Sequence, residues 1–144
     1  MKIALREAES ALSRDEVPVG AVIVDGTTGK IIAKAGNGVE RLHDPTAHAE
    51  ILAIRQACVA LGQKRLDGCD IYVTLEPCTM CAGAISHARL RRLYFGAMDL
   101  KGGAVENGIK FFERSTCHHV PEIYGGIQEI ESHKLLTTFF QNKR

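Results

Sequence analysis

The chain has 144 residues, of which 45% are hydrophobic and 24% are charged, and its formal net charge is +1. These values predict one globular domain, residues 1–144, and exclude a strongly basic nucleic-acid-binding protein, so a polyanion would have to use local patches. No apolar run approaches the about 20 residues that cross a bilayer, and the N-terminal segment lacks a signal-peptide core. We therefore expect a cytoplasmic protein with no membrane partner.

The first elements in chain order are a helix and a β-hairpin. Apolar residues recur at helical spacing over residues 3–12, which predicts a helix. The segment "VPVGAVIVD" (17–25) predicts a strand, "DGTTGK" a turn, and "KIIAKAGN" (30–37) the paired strand. The hairpin implies that part of the sheet is antiparallel.

A second helix is predicted over residues 43–62. Asp44 or Thr46 is the expected N-cap, Pro45 suits the first turn, and Gly62 suits the end. Its inward stripe is expected to consist of Ile51, Ile54, Cys58 and Leu61.

Strands and helices alternate further along the chain. Residues 70–76 predict a strand, Pro77 begins a helix that continues to residue 88, and residues 91–97 predict another strand. Residues 109–114 are compatible with a helix or a loop.

The C-terminal part is expected to contain a short strand within residues 118–126 and a helix over 127–144. Pro121 favours an edge position for that strand. The inward residues of the helix are expected to be Ile127, Ile130, Leu135 and Phe139. Together the elements predict a three-layer α/β/α fold with a mixed central sheet of about five strands.

Five cysteines are present, an odd number without signs of secretion. A metal site is therefore a better interpretation for the close pair Cys78 and Cys81 than a disulfide framework. Residues three apart share one helix face, and the first turn favours thiolates. Cys58 looks like a core residue, and Cys69 and Cys117 are expected in packing or surface positions. Zn²⁺ suits such a pair when a histidine joins it.

His48 is the candidate third ligand because Glu50 follows it two residues later. Both side chains can face one point only if the helix begins near them, so the N-termini of two helices should converge there. Three protein ligands and an open fourth position are typical of catalytic zinc, which lowers the pKa of water to near 7. Glu50 would then carry the proton from water to the substrate nitrogen. The alternative is a structural zinc with Glu50 as a surface charge.

The combination H-x-E followed by P-C-x-x-C is the signature of zinc deaminases. The segments "EVPVGAVIV" (16–24), "HDPTAHAEI" (43–51), "TLEPCTMCAGAI" (74–85) and "FGAMDLKGGA" (95–104) resemble the bacterial tRNA-specific adenosine deaminases. The resemblance implies the cytidine deaminase-like fold, a homodimer, and no organic cofactor. It also implies conversion of the wobble adenosine of an arginine tRNA anticodon to inosine, with release of ammonia.

By the same resemblance, His48, Cys78 and Cys81 hold one Zn²⁺ per subunit, and Glu50 is the catalytic proton shuttle. The implied contacts to the tRNA anticodon stem-loop are Asn37, Ala49, Asp99, Lys101, Phe140 and Lys143. The pattern departs from the family at Gly38, where a basic residue is usual, and residues 111–126 match loosely. These departures affect the edges of the RNA site and leave the zinc site untouched.

Two other functions remain open at this point. One is a deaminase of free nucleobases or nucleotides, such as guanine or cytosine, which would use the same metal chemistry. The other is a noncatalytic RNA-binding subunit, against which Glu50 argues. Candidate cations for a local RNA patch are Arg89, Arg91, Arg92, Lys101, Arg114 and residues 141–144, although a solvated surface is the simpler interpretation for each.

Overall fold

The computed structural model describes residues 1–143; Arg144, which was included in the predicted last helix, lies outside the described residues. The elements are α1 (Lys2–Ser13), β1 (Gly20–Asp25), β2 (Ile31–Gly36), α2 (Val39–Leu42), α3 (Ala49–Leu61), β3 (Cys69–Leu75), α4 (Thr79–His87), β4 (Arg92–Ala97), a 3₁₀ turn (Phe111–Glu113), β5 (Glu122–Tyr124) and α5 (Glu129–Asn142). This order confirms the predicted succession, to which the structure adds the one-turn helix α2 in the segment predicted as a polar loop.

The five strands form one mixed sheet in the order β2-β1-β3-β4-β5. The pairs β1–β2 and β1–β3 are antiparallel, whereas β3–β4 and β4–β5 are parallel. The predicted hairpin is confirmed, and its turn is held by Asp25 Oδ1, which accepts hydrogen bonds from the N–H groups of Thr27 and Thr28 at 2.8 and 2.9 Å. Because β3 and β4 are parallel, their carboxyl ends meet at one edge, where ligand sites of open α/β sheets lie.

Helices cover both faces of the sheet, which confirms the three-layer α/β/α architecture. On one face α1 lies so close to the hairpin that a Cβ atom on Gly20 would collide with the backbone oxygen of Ala4. The same face receives α5, whose Ser132 lies against Gly96 of β4. On the other face α3 and α4 pack on a core of small and branched residues that includes Ala53, Ala57, Ile71, Ile85 and Leu93.

The predicted start and inward face of α3 are wrong. The helix begins at Ala49 with His48 as N-cap. Asp44 and Thr46 do not cap it, because Asp44 Oδ1 accepts hydrogen bonds from the Thr46 N–H at 2.9 Å and its hydroxyl at 2.6 Å in a separate turn that also contains Pro45. The predicted end at Gly62 is confirmed by its positive φ of 64°.

The buried face of α3 consists of Ala49, Glu50, Ala53 and Ala57 rather than the larger aliphatic residues. Leu61 is exposed, and Ile54 and Cys58 are only partly buried at the margin of the core. Alanines face the sheet because small side chains allow the helix axis to approach it closely. The larger side chains of Ile54 and Cys58 then pack at the margin of the contact between α3 and the sheet.

The C-terminal elements agree with the sequence in part. The short strand β5 lies at the sheet edge directly after Pro121, as predicted. In α5, Phe139 is buried as predicted, but Ile130 is 81% exposed, and Ser132 takes the inward position instead. The close approach of Ser132 to Gly96 leaves no room for a larger side chain there. Within residues 1–143, no helix has the length and apolar character needed to cross a membrane.

Candidate active site

Three predicted metal ligands lie together at the carboxyl end of the parallel strands. His48 is the N-cap of α3, and Cys78 is the N-cap of α4, directly after β3, with Cys81 one turn further. The Nδ1 atom of His48 lies 3.6 Å from the Cys78 sulfur and 3.5 Å from the Cys81 sulfur. The convergence of two helix N-termini is therefore confirmed; α4 follows the strand β3, and α3 follows α2 and a turn.

The separation of these atoms fits a tetrahedral Zn²⁺ ion. With Zn–N near 2.0–2.1 Å and Zn–S near 2.3 Å, tetrahedral angles place the nitrogen and each sulfur about 3.6 Å apart. The observed separations of 3.6 and 3.5 Å match this value. In residues 1–143 the group of mutually close donors is limited to His48, Cys78 and Cys81, so the fourth position of a tetrahedron would face away from protein ligands.

The electrostatics of the two sulfurs also suit a divalent cation. A hydrogen bond from Cys81, aided by His48, lowers the pKa of Cys78 to about 4. The same hydrogen bond, together with burial, raises the pKa of the Cys81 thiol. A cation can replace the proton that the sulfurs share and bind both as thiolates. The position of the pair in the first turn of α4 adds the positive end of the helix dipole.

Glu50 stands beside this group without belonging to it. Glu50 is only 4% exposed and lines the same cavity as His48 and Cys78. Burial raises the pKa of Glu50 to about 7. A carboxyl group in such surroundings can both accept and donate a proton near neutral pH. This position fits a proton carrier better than a helix surface charge.

The cavity in front of the donors has a volume of about 790 Å³. His48, Glu50 and Cys78 line it together with residues from α2 and from the ends of α1, β2, β3, β4 and α5. Other lining residues are Glu16, Val17, Asn37, Glu76, Asp99, Phe139 and Lys143. A space of this size accommodates one nucleoside, since ligand cavities commonly measure about 300–1,000 Å³.

Asn37 and Ala49, the residues predicted to contact the base, both lie close in the chain to elements that bound the cavity, and Asn37 itself lines it. Asn37 follows β2, is 7% exposed and lines the cavity. Its side-chain nitrogen donates a hydrogen bond of 3.1 Å to Glu16, a fully buried carboxylate that sequence reasoning did not single out. Ala49 is the buried first residue of α3, a helix position whose N–H has no partner within the helix.

Glu76 is the second buried carboxylate that the sequence did not assign. It is 2% exposed and accepts five hydrogen bonds from the loop after β4. The donors are the N–H groups of Asp99, Val105, Glu106 and Asn107 and the side-chain amide of Asn107, at 2.8–3.2 Å. Burial opposes its charge, but these hydrogen bonds outweigh burial and lower its pKa.

Asp99 is held at the cavity rim by this arrangement. Its Oδ1 atom accepts hydrogen bonds from the N–H groups of Lys101 at 3.1 Å and Gly102 at 2.9 Å. One carboxylate oxygen is therefore engaged in shaping the turn. Asp99 nevertheless lines both the cavity and an adjoining groove, so its predicted location beside a bound nucleotide fits the geometry.

The remaining predicted contacts lie along that groove, a shallow depression of about 980 Å³ between α5 and residues 98–102. Lys101 and the half-exposed Phe140 line it, and Lys143 lines both the groove and the cavity. The Lys143 ammonium forms an ion pair with Asp15 at 2.7 Å. The structure thus brings these three residues to one surface, while Lys143 is partly neutralised.

Two of the candidate cations are engaged elsewhere. Arg91 forms a bidentate pair with the buried Asp70 at 2.9 and 2.8 Å. Arg92 donates to Glu122 at 2.8 Å. Both pairs lie at the beginning of β4, the end of the parallel strand opposite the cavity. Arg91 and Arg92 therefore stabilise the sheet and are not available as cations beside the cavity.

Comparison with known proteins agrees with this geometry. Residues 1–97 match the family model described as the cytidine and deoxycytidylate deaminase zinc-binding region. The chain is 61% identical over its whole length to a tRNA-specific adenosine deaminase of Agrobacterium fabrum, of which it covers 93%.

Two solved structures show the same fold. One comes from a study of A-to-I editing by tRNA:A34 deaminases at the wobble position of transfer RNA; it is 62% identical, with a TM-score of 0.92, covering 94% of this chain and 97% of that chain. The other, guanine deaminase from Bacillus subtilis, is 36% identical, with a TM-score of 0.63 and coverages of 79% and 82%. The chain therefore belongs to the cytidine and deoxycytidylate deaminase zinc-binding family and, within it, to the bacterial tRNA-specific adenosine deaminases.

Proposed function

We propose that the protein hydrolyses adenosine to inosine at the wobble position of a tRNA anticodon, of the arginine tRNA type, and releases ammonia. The observation that carries this proposal is the three-donor group at the edge of a nucleoside-sized cavity, which His48, Cys78 and the buried Glu50 line. The high identity over the whole chain to a tRNA-specific adenosine deaminase supports tRNA as the substrate.

His48, Cys78 and Cys81 would hold one Zn²⁺ ion per subunit. When bound there, zinc acts as a Lewis acid that makes water nucleophilic at neutral pH. The two thiolates neutralise the charge of Zn²⁺ and the imidazole is a neutral ligand, so charge balance does not require Glu50 to bind the ion. That leaves the Glu50 carboxyl group free for proton transfer.

Glu50 would move protons between the attacking water, the ring nitrogen and the departing amine. Its side chain is enclosed by protein and opens onto the cavity, so the proton it carries is shielded from bulk water. Positioned general acid–base groups contribute about 10²–10⁴-fold to a rate. The N–H of Ala49, at the start of α3, and the amide of Asn37 would orient the base.

An anticodon loop suits the shape of the site. A single-stranded base can leave its stack and enter a cavity at a smaller cost than a paired one. The groove lined by Lys101, Phe140 and Lys143 adjoins the cavity and would receive the neighbouring nucleotides, with Phe140 as a stacking surface. By family resemblance we also propose a homodimer that acts in the cytoplasm.

The test is inosine formation in an anticodon stem-loop with adenosine at the wobble position, read as an A-to-G change on sequencing. We expect conversion of the arginine stem-loop, little conversion of the same sequence with the adenosine moved into the stem, and one zinc per chain. Guanine and cytosine are the control substrates, because the alternative function is deamination of a free nucleobase or nucleotide and the likeness to guanine deaminase supports it. Activity on a free base with none on the stem-loop would replace the tRNA proposal by the alternative.

A further inference from the structure

Within residues 1–143 the buried carboxylate of Glu16 has three hydrogen-bond donors and no other polar partner. Its Oε1 atom accepts from the N–H of Arg41 at 2.7 Å, and its Oε2 atom accepts from the N–H of Glu40 at 3.2 Å and from Nδ2 of Asn37 at 3.1 Å. Glu40 and Arg41 lie in the first turn of α2. Glu16 therefore caps α2 from a distant part of the chain and binds the Asn37 amide at the same time.

This contact fixes the orientation of the Asn37 amide, because it identifies the atom bound to Glu16 as the nitrogen. A carboxylate only accepts hydrogen bonds, whereas an amide has a donor end and an acceptor end. Glu16 therefore binds one N–H of the Asn37 amide, which leaves the second N–H and the side-chain oxygen for other partners. Within residues 1–143 the side-chain oxygen of Asn37 forms no hydrogen bond. Since no fully buried side-chain oxygen or nitrogen atom there lacks a partner, this oxygen is at least partly accessible. Asn37 lines the cavity, so this free acceptor is available to a molecule bound there.

We propose that Glu16 is a positioning residue that orients Asn37 so that its side-chain oxygen is presented to the substrate. This inference rests on the proposed function, in which Asn37 contacts the base. The matching group on the substrate is an N–H donor, such as the exocyclic amine of adenine. A base with a carbonyl oxygen in that place would meet an oxygen and be disfavoured.

The decisive experiment is a double-mutant cycle on the zinc-loaded protein. Asn37→Asp keeps an oxygen towards the cavity but sets two carboxylates against each other, so kcat/KM on the stem-loop should fall about 100-fold. Adding Glu16→Gln supplies a donor to the introduced carboxylate. The double variant should regain about tenfold or more over Asn37→Asp alone. The midpoint of thermal unfolding should show the same partial recovery.

Asp70→Asn is the matched control, because it also converts a buried carboxylate to an amide but lies at the opposite end of β3, paired with Arg91. Combined with Asn37→Asp, it should give additive losses and no recovery. The inference is overturned if Glu16→Gln fails to rescue Asn37→Asp, if Asp70→Asn rescues it equally, or if Asn37→Asp is fully active. If the wild-type protein makes no inosine in the stem-loop, the proposed function fails instead, and the unfolding midpoints still report whether the two side chains are coupled.

Discussion

Replacing Glu76 by glutamine should destabilise the protein strongly although the change removes no volume. The Oε2 atom of Glu76 accepts from the Asp99 N–H and from the Asn107 side chain, both at 2.8 Å, and Oε1 accepts from three further N–H groups. An amide nitrogen in the Oε2 position would face two donors. Asn107 can rotate its amide and recover a hydrogen bond, but the Asp99 N–H cannot.

The magnitude follows from these contacts. One buried donor without a partner costs about 1–3 kcal/mol, and the hydrogen bonds to Oε1 weaken when the charge is lost. We expect Glu76→Gln to lower the free energy of unfolding by about 2–4 kcal/mol, a large share of the about 5–15 kcal/mol typical of a domain.

Urea unfolding of the zinc-loaded protein measures this loss. The control is Glu113→Gln, since the Glu113 side chain is 66% exposed and its ion pair with Arg114 is long at 3.9 Å. That variant should change the free energy of unfolding by less than about 0.5 kcal/mol. A loss below about 1 kcal/mol for Glu76→Gln would show that the five hydrogen bonds of Glu76 contribute little beyond those made to water in the unfolded chain, contrary to the expected destabilisation.

Two further predictions concern metal binding and RNA binding. The Cys78→Ser variant should lose most of its zinc on dialysis, as measured by metal analysis, because a hydroxyl group is a much poorer zinc ligand than a thiolate. The control is Cys58→Ser, at the margin of the core, which should keep its zinc. Equal zinc retention in the two variants would contradict the assigned ligand set. Phe140→Ala should raise KM for the stem-loop about tenfold with a smaller change in kcat, since base–aromatic stacking contributes about 1–3 kcal/mol. The control is Ile130→Ala on the same helix, because Ile130 is 81% exposed and lies outside the groove. Equal KM values for the two variants would show that Phe140 does not stack on a base.

The sequence predicted most of the fold because strong local signals mark the elements. The Asp-Gly turn identified the β1–β2 hairpin, and Pro77 located the beginning of α4 to within two residues. The buried face of α3 was misjudged because periodicity favours large aliphatic residues, whereas the helix faces the sheet with Ala49, Ala53 and Ala57. Its start was misplaced because Asp44 and Thr46 form a turn of their own, which resembles a cap in the sequence.

The candidate site could be predicted where chemistry and short spacing coincide. His48, Glu50, Cys78 and Cys81 carry such a pattern, and the structure brings all four together. Glu16 and Glu76 carry none, since the donors of Glu16 lie 21–25 residues away along the chain and those of Glu76 lie 23–31 residues away. Buried carboxylates with distant donors are visible only after folding has brought the loops together.

Whether Glu50 carries the proton is decided by measuring zinc content and inosine formation side by side for the wild-type protein and Glu50→Gln. Glutamine preserves the size of the side chain but cannot carry the proton. We expect both proteins to hold one zinc per chain, and the variant to form inosine in the stem-loop at least about 100-fold more slowly. A variant that loses its zinc would show Glu50 to be a ligand, and a variant that keeps full activity would show that proton transfer does not depend on it.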